Sequence, residues 1–393
     1  MRVAIVGCGV AGLAAAIALD RKGHRVTLFE AFDQPRPVGA GLLLQPSGLA
    51  AIRALDLAEP VLDRGARIDR LFGADLCGRT IMDMRYERWR PGAFGLGVHR
   101  ASLFDVLYEG ALAAGTEIRT GVAVVQIASF DRPVLVTAAG DRHGPYDMAV
   151  VADGAGSTLR QQVRPRSRAP TYPWGAVWAT AQDPHRRFNG ALHQRYDGAS
   201  TMIGILPVGR RPGVAGDHVS FFWSLPVSAM DAFLSGDLSA WRNDVVRMWP
   251  EAEPILAQLH SRTCFSRAVY KDMAFGRWDR GAVVLIGDAA HGMSPQLGQG
   301  ANLALIDAVE LADRVPSPTR IAGYQRARRL QTGPYQLLSR LLTPLFQSSS
   351  AFWSWFRTYI FAPLSQAPVL RGHAAHVLAG LFRLGPTPPK LRP

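Results

Sequence analysis

Apolar residues along the chain fall into two alternating rhythms. Short runs with strand character occupy residues 2–6, 25–30, 42–44, 117–127, 134–139, 146–152 and 282–286. Helical spacing runs from about 10 to 22, closed by Gly23, from 47 to about 55, from 99 to about 115, and onward from Leu303 through Leu305, Ile306, Val309 and Leu311. Strands that alternate with helices in this way predict an α/β, Rossmann-like fold.

Between about 171 and 272 the period shortens. Residues 174–180, 192–196, 201–207, 218–225 and 263–270 read as strands of an antiparallel sheet that interrupts the α/β pattern. Residues from about 68 to 98, with Tyr86, Trp89 and Phe94 among arginines, add short strands to it. Trp174 and Trp178 share one strand face, as do Ser220, Phe222 and Ser224, and such a face either packs on a helix or lines an aromatic pocket. His193, His218 and His260 stand alone, with no partner at catalytic or metal-ligand spacing, and read as structural.

After a basic helix over 323–329, Gly333-Pro334 predicts a break. Leu337, Leu338, Leu341, Leu342 and Leu345 then recur at helical spacing, and Phe352, Trp353, Trp355, Phe356, Tyr359, Ile360 and Phe361 cluster. The apolar stretch 351–364 contains Arg357 and falls short of the ~20 residues that span a bilayer. Its alternatives are helices packed on the α/β fold, an anchor at a membrane surface, or a partner interface.

Three loops at strand ends carry the chemistry. The first, Gly-Cys-Gly-Val-Ala-Gly over 7–12, joins a strand to a helix: Gly7 makes the turn, Gly9 admits a pyrophosphate and Gly12 lets the helix pack closely. Glu30 ends the following strand, where it can accept ribose hydroxyls and disfavours a 2′-phosphate. Strand, helix, strand and terminal acid together specify a dinucleotide far better than the glycines alone. The second loop, Asp-Gly-Ala-Gly-Ser-Thr-Leu-Arg over 153–160, opens with Asp153, which caps a helix or meets a ligand. The third, 287–302, offers a carboxylate at Asp288, a rigid bend at Pro295 and bare backbone N–H groups at Gly298 and Gly300, where a helix start stabilises negative charge.

Gly287-Asp288, Pro295 and Gly298-Gln299-Gly300-Ala301-Asn302, preceded in order by the loops at 7–30 and 153–160, resemble the para-hydroxybenzoate hydroxylase-like (group A) FAD-dependent monooxygenases. The resemblance covers nearly all of the chain up to about residue 330. It implies a glutathione reductase-type FAD-binding domain built from 1–67, 99–168 and 273–332, and a substrate domain with a mixed or antiparallel sheet from 68–98 and 169–272. A helical segment over 333–393 completes the chain. As cofactor-binding residues it implies Gly7, Gly9, Gly12, Glu30, Arg36, Arg100, Asp153, Asp288, Pro295, Gly298, Gly300 and Asn302. Gly39 and Gly41 would let backbone lie against a flat ring, and Gln45 is a pocket candidate.

The activity implied is hydroxylation of a phenol, quinolone or polyketide-like ring, with NAD(P)H and O2, through a flavin C4a-hydroperoxide. NAD(P)H would bind transiently, consistent with the lack of a second Gly-x-Gly-x-x-Gly. No side-chain nucleophile is needed, so catalytic residues stay unassigned. The competing functions are reduction of an isoprenoid double bond, flavin-dependent halogenation, and non-catalytic binding of a flavin or aromatic ligand. The Gly-Trp-x-Trp-x-Ile-Pro segment expected of a tryptophan-type halogenase is missing.

Composition changes this picture little. The formal charge is +13, nearly all through arginine, which suits anionic cofactors and also follows from a GC-rich coding bias. No basic run interleaved with aromatics points to nucleic acid. Cys8, Cys77 and Cys264 are odd in number and lack metal-ligand spacing, which argues against a disulfide framework or zinc site and for a reducing cytoplasm. The first twenty residues imitate a leader, but their glycine spacing argues against cleavage. A monomer or homodimer is expected, and the end at Pro393 leaves no thioredoxin-like extension of the kind some larger family members carry.

Overall fold

The computed structural model describes residues 1–393 except 36–38, 274–275, 316–320, 387–388 and 392–393. A six-stranded sheet runs in the order Asp279–Arg280, Val283–Leu285, Met148–Val151, Arg2–Val6, Arg25–Phe29, Glu117–Arg119, parallel throughout except at the first pair. Its central strands are buried along their length because helices such as Val10–Asp20 and Gly300–Arg314 cover it, as parallel sheets require. Arg2–Val6, Met148–Val151 and Val283–Leu285 therefore end side by side. The loops at 7, 153 and 287, far apart in sequence, leave from one sheet edge.

A second sheet has nine strands. Its path is Ser266–Lys271, Thr171–Gln182, Val214–Pro226, Thr201–Arg211, Gly190–Asp197, Ala66–Asp75, Gly95–His99, Gly41–Leu44, with Thr80–Arg85 also paired to Ala66–Asp75. Most neighbours are antiparallel, but Gly190–Asp197 joins Ala66–Asp75 in parallel, which makes the sheet mixed. Gly41–Leu44 belongs to this sheet, so the chain crosses into it soon after the second α/β strand. The run expected as one strand over 117–127 divides in two. Glu117–Arg119 joins the six-stranded sheet, while Val124–Ser129 pairs with Val134–Thr137 in a small separate one.

One face of the large sheet is covered by helices Met230–Ser235, Leu238–Met248 and Glu253–Leu256, which the strand reading of 171–272 overlooked. They bury Met230, Leu238, Val245 and Leu256 against Val177, Ile203, Ile205 and Phe221. The 230, 234, 238, 241, 245 recurrence is helical, but flanking strand patterns masked it.

The C-terminal part departs most from expectation. Helix Ile321–Phe346 runs through Pro334 without a break. Proline removes the N–H that would reach the Leu330 carbonyl, and the Leu384 N–H takes that place at 2.8 Å. The same helix buries Arg328, Gln331, Thr332, Gln336, Ser339 and Thr343, whereas Leu337 and Leu341 face outward. Among the described residues no helix is long and apolar enough to cross a membrane.

Candidate cofactor and substrate site

At the first loop, two of the three glycines are packed on protein and one is open. A Cβ on Gly7 would lie 2.6 Å from the Ala152 carbonyl, and one on Gly12 would lie 1.9 Å from that of Gly7, whereas among the described residues nothing stands within 4 Å of a Cβ on Gly9. Gly7 also needs its φ of +107°, a region that side chains avoid. The first in-helix bond runs from Leu13 N–H to Gly9 at 2.9 Å, so the preceding N–H groups of helix Val10–Asp20 face the Gly9 opening. Glu30 is fixed beside this turn, accepting from Cys8 N–H at 2.8 Å and Phe32 N–H at 3.0 Å. Burial and the Glu30 charge push the Cys8 thiol up to about 12, so it stays a neutral spacer.

The second loop folds on itself. Ser157 Oγ accepts the Arg160 N–H at 3.0 Å and so supplies the cap that Asp153 was a candidate for. The Arg160 guanidinium turns back to the Ala155 carbonyl, 3.4 Å from both terminal nitrogens. Arg160 is thus a brace for the loop. Burial pushes the half-buried Asp153 carboxyl up, against the opposing pull of Ser157 and Arg160.

The third loop presents Asp288, exposed at the start of helix Asp288–His291, and Pro295, at the start of the turn Pro295–Leu297. Gly298 follows at φ +61°, and the next helix begins at Gly300. Among the described residues outside its own helix, Asp288 Oδ1 approaches the Gly300 Cβ position, at 3.8 Å, so the carboxylate lies over that helix start. Asn302 has a different role. It is fully buried, its Oδ1 accepting Gln45 N–H at 2.8 Å and its Nδ2 donating to Gly298 at 2.9 Å and Leu43 at 3.1 Å. Its side chain ties the loop to residues 43–45.

Neighbouring candidates divide in the same way. The Arg100 side chain crosses Gly39, its Cδ and Nε 3.0 Å from that residue's Cβ position, and its N–H bonds to Ala40 at 3.0 Å. Gly41 instead makes room for Val208 and Ser220 of the large sheet, so the close approach there is protein to protein. Gln45 is buried; its Oε1 accepts the Tyr86 hydroxyl at 2.5 Å, and its Nε2, with no partner among the described residues, lies 3.7 Å from the Gly298 Cβ position. Arg36 lies outside the described residues.

A buried ion network that the sequence reading did not reach holds the third loop in place. Asp307, fully buried, accepts Gly287 N–H at 2.7 Å and Arg328 Nε at 2.6 Å, and lies 2.6 Å from His291 Nε2. Burial would raise its carboxyl, but His291 and Arg328 hold it well below the usual carboxylate range. Arg328 continues to Glu310 at 3.3 Å, which also meets Arg383 and Arg314. One signal was legible: Arg328 falls on the stripe 321, 324, 328, 331, 335, the buried face of its helix.

Above the loop, Leu342 joins two apolar clusters. One contains Leu297 and Met293 of the third loop, and the other contains Phe222, Met202 and Trp178 of the large sheet. The Trp178 ring packs against Phe222, tilted by 37° with centroids 4.9 Å apart, and its Nε1 donates to the Tyr270 hydroxyl at 3.4 Å. An aromatic, mostly apolar sheet face thus lies on the side of the Asp288–Gly300 loop. The open Gly9, the ordered Glu30 and the exposed Asp288 and Gly298 fit an FAD stretched along the sheet edge, with its ring at the third loop.

Comparisons with known proteins agree with this geometry. The FAD binding domain family matches residues 1–326. The aurachin C monooxygenase/isomerase of Stigmatella aurantiaca is 26% identical over 93% of this chain and 94% of that protein. A 2-heptyl-3-hydroxy-4(1H)-quinolone synthase of Pseudomonas aeruginosa is 28% identical over 95% and 97%. The structure of Klebsiella pneumoniae HpxO complexed with FAD and uric acid superposes with a TM-score of 0.80 at 20% identity, covering 96% of this chain and 97% of that one. The chain belongs to the FAD binding domain family, and within it to the para-hydroxybenzoate hydroxylase-like FAD-dependent monooxygenases.

Proposed function

We propose that this enzyme hydroxylates a flat aromatic ring bearing an apolar chain, of the alkylquinolone class, using NAD(P)H and O2. The observation that carries the reading is the aromatic face of Trp178, Phe222 and Tyr270 joined through Leu342 to the third loop. Quinolone chemistry in the name of a relative that matches almost end to end supports it.

In this reading residues 1–67, 99–168 and 273–332 bind FAD, 68–98 and 169–272 bind substrate, and the enzyme works in the cytoplasm as a monomer or homodimer. Helix Val10–Asp20 directs its first N–H groups at the pyrophosphate across Gly9, and Glu30 accepts from the ribose. Arg100 approaches the ring system over Gly39. Asp288 holds the ribityl chain, while Pro295, Gly298 and Gly300 border the ring and meet charge that develops there with backbone N–H dipoles. Bound FAD supplies hydride acceptance and activation of O2. Leu297, Leu342 and Phe222 exclude water from the reacting ring, which favours oxygen transfer over loss of peroxide. Asp153 and Arg160 keep the middle loop folded, and Asn302 positions the Gly298 turn.

The test is NAD(P)H oxidation and oxygen uptake by the FAD-loaded protein with 2-alkyl-4-quinolones, simple phenols and polycyclic phenols, with products weighed by mass spectrometry. An alkylquinolone that accelerates oxidation and gains one oxygen atom is expected. Oxygenation confined to compounds without an apolar chain would overturn the substrate assignment.

A further inference from the structure

The C-terminal helices bury Tyr324, Tyr335, Leu345 and Phe346 but leave a set of large apolar side chains in water. Helix Ile321–Phe346 buries a polar face, with Ser294 Oγ 2.8 Å from Thr343 Oγ1 and Gln336 Nε2 donating to the Met273 carbonyl at 3.1 Å. Leu337 and Leu341 are left outside, 52% and 62% exposed. The next helices repeat the arrangement. Trp353, Phe356 and Phe361 pack inward with Phe346 and Tyr196, while Phe352, Trp355, Tyr359, Ile360 and Leu364 point outward, each 42–57% exposed. Phe352, Trp355 and Tyr359 adjoin one another, successive ring centroids 6.3 Å apart, and an exposed apolar patch of this kind marks a docking face rather than scattered exposure.

Charge decides what docks there. After Asp313 the sequence contains no aspartate or glutamate, yet many arginines. Arg79 stacks on Tyr359, 5.2 Å from the ring centroid, and donates to its hydroxyl at 2.8 Å. Beside Trp355 and Tyr359 opens a cleft of about 480 Å³ with Arg79, Arg357 and Ser348 to Ser350 in its wall, together with the carboxylates Asp75 and Asp197. Asp75 is occupied, accepting the Cys77 and Arg79 N–H groups at 2.9 and 2.8 Å. Arg357 is buried without a carboxylate partner among the described ion pairs; its Nη1 donates to the Leu345 carbonyl at 3.2 Å. Arg79 is exposed on this face, whereas Arg357 is buried beneath it. A headgroup that carries negative charge can meet Arg79, which sits at Tyr359 on the rim of an acid-free C-terminal segment, and Trp and Tyr are the residues that settle at a lipid–water boundary.

We propose that the helices over 351–364 dock on the surface of a bilayer with anionic headgroups, aromatic side chains at the acyl boundary and Arg79 at the phosphates. The inner side of the same segment adjoins the Phe222–Trp178 wall, so docking sets the pocket against the membrane. That consequence rests on the substrate reading above, because only a chain-bearing ring gains from it. The docking itself does not.

Flotation of the FAD-loaded enzyme with vesicles of phosphatidylcholine, or of phosphatidylcholine with about one-third phosphatidylglycerol, tests the proposal. Binding should favour the anionic vesicles and weaken as salt rises from about 0.05 to 0.5 M. Trp355→Ser with Tyr359→Ser should lower binding about tenfold or more while leaving flavin content and NAD(P)H oxidation unchanged. Arg79→Gln should reduce the preference for anionic over neutral lipid. Absence of binding to both vesicle types, or a dimer in sedimentation that the double variant dissolves, would overturn it. Vesicle binding without quinolone oxygenation would sink the substrate reading alone, and oxygenation without vesicle binding would sink the docking alone.

Discussion

Asp307→Asn is the most informative single change, because it alters one buried group and is read out in both stability and cofactor retention. The wild-type carboxylate takes Gly287 N–H and Arg328 Nε and adjoins His291 Nε2, all within 2.7 Å and without solvent. Asparagine offers one oxygen to these groups and adds two donors of its own, so at least one N–H goes unmet. Arg328 also loses a countercharge. Removing one partner of a buried pair costs about 3–5 kcal/mol. With a urea slope of about 3 kcal/mol per M, the unfolding midpoint should fall by about 1–1.7 M.

The pH dependence follows from the sign of the shift. Asp307 is held below its unfolded value in the folded protein, so its contribution is complete above the unfolded carboxylate pKa of about 3.9 and declines as the pH falls below it. The difference between wild type and variant should therefore be constant above about pH 5 and shrink toward acid. Circular dichroism in urea at several pH values, with released FAD followed by its fluorescence, measures all of this. A variant midpoint within about 0.2 M of wild type, or a gap that widens toward acid, would refute the reasoning.

Two further outcomes are expected. Asp288→Ala removes an exposed carboxylate that overlies the Gly300 helix start, and the loss of one charged hydrogen bond should weaken FAD binding about 10- to 100-fold in equilibrium dialysis, with stability little changed; unaltered FAD affinity would remove Asp288 from the site. Gly12→Ala places a methyl group 1.9 Å from the Gly7 carbonyl, which a backbone shift must relieve at about 1–3 kcal/mol, and both the thermal midpoint and the FAD content of the purified protein should drop. An alanine variant with full FAD and unchanged melting would show that the turn does not need this close packing.

How much could be foreseen depended on whether an interaction was local. The Gly7 turn, the acid at Glu30 and the glycine start at Gly300 are properties of a few consecutive residues, dictated by backbone sterics, and they were legible. The convergence of three distant loops was legible through resemblance, and its physical basis is the parallel order of three strands. Gln45, Gly41 and Asn302 looked like pocket residues because their neighbours are. Only the tertiary structure shows their contacts: Gln45 Oε1 with Tyr86 and its Nε2 beside Gly298, Gly41 against Val208 and Ser220, and the Asn302 side chain with Leu43 and Gly298.

The sequence by itself determined the alternating α/β pattern, the interrupting sheet and the dinucleotide turn, because hydrophobic period and glycine sterics act over a handful of residues. Tertiary structure decided what each helix face meets. Leu337 and Leu341 obey a helical period that predicts burial, yet they face out, because the opposite face pairs Arg328 with Asp307 and Thr343 with Ser294. Pro334 reads as a stop, yet the helix passes through it, because Leu384 from the far end of the chain satisfies the freed carbonyl. Periodicity shows that a stripe will be buried. It does not show which stripe is buried, because that depends on partners distant in the chain, without which a buried arginine or carboxylate would be strongly unfavourable.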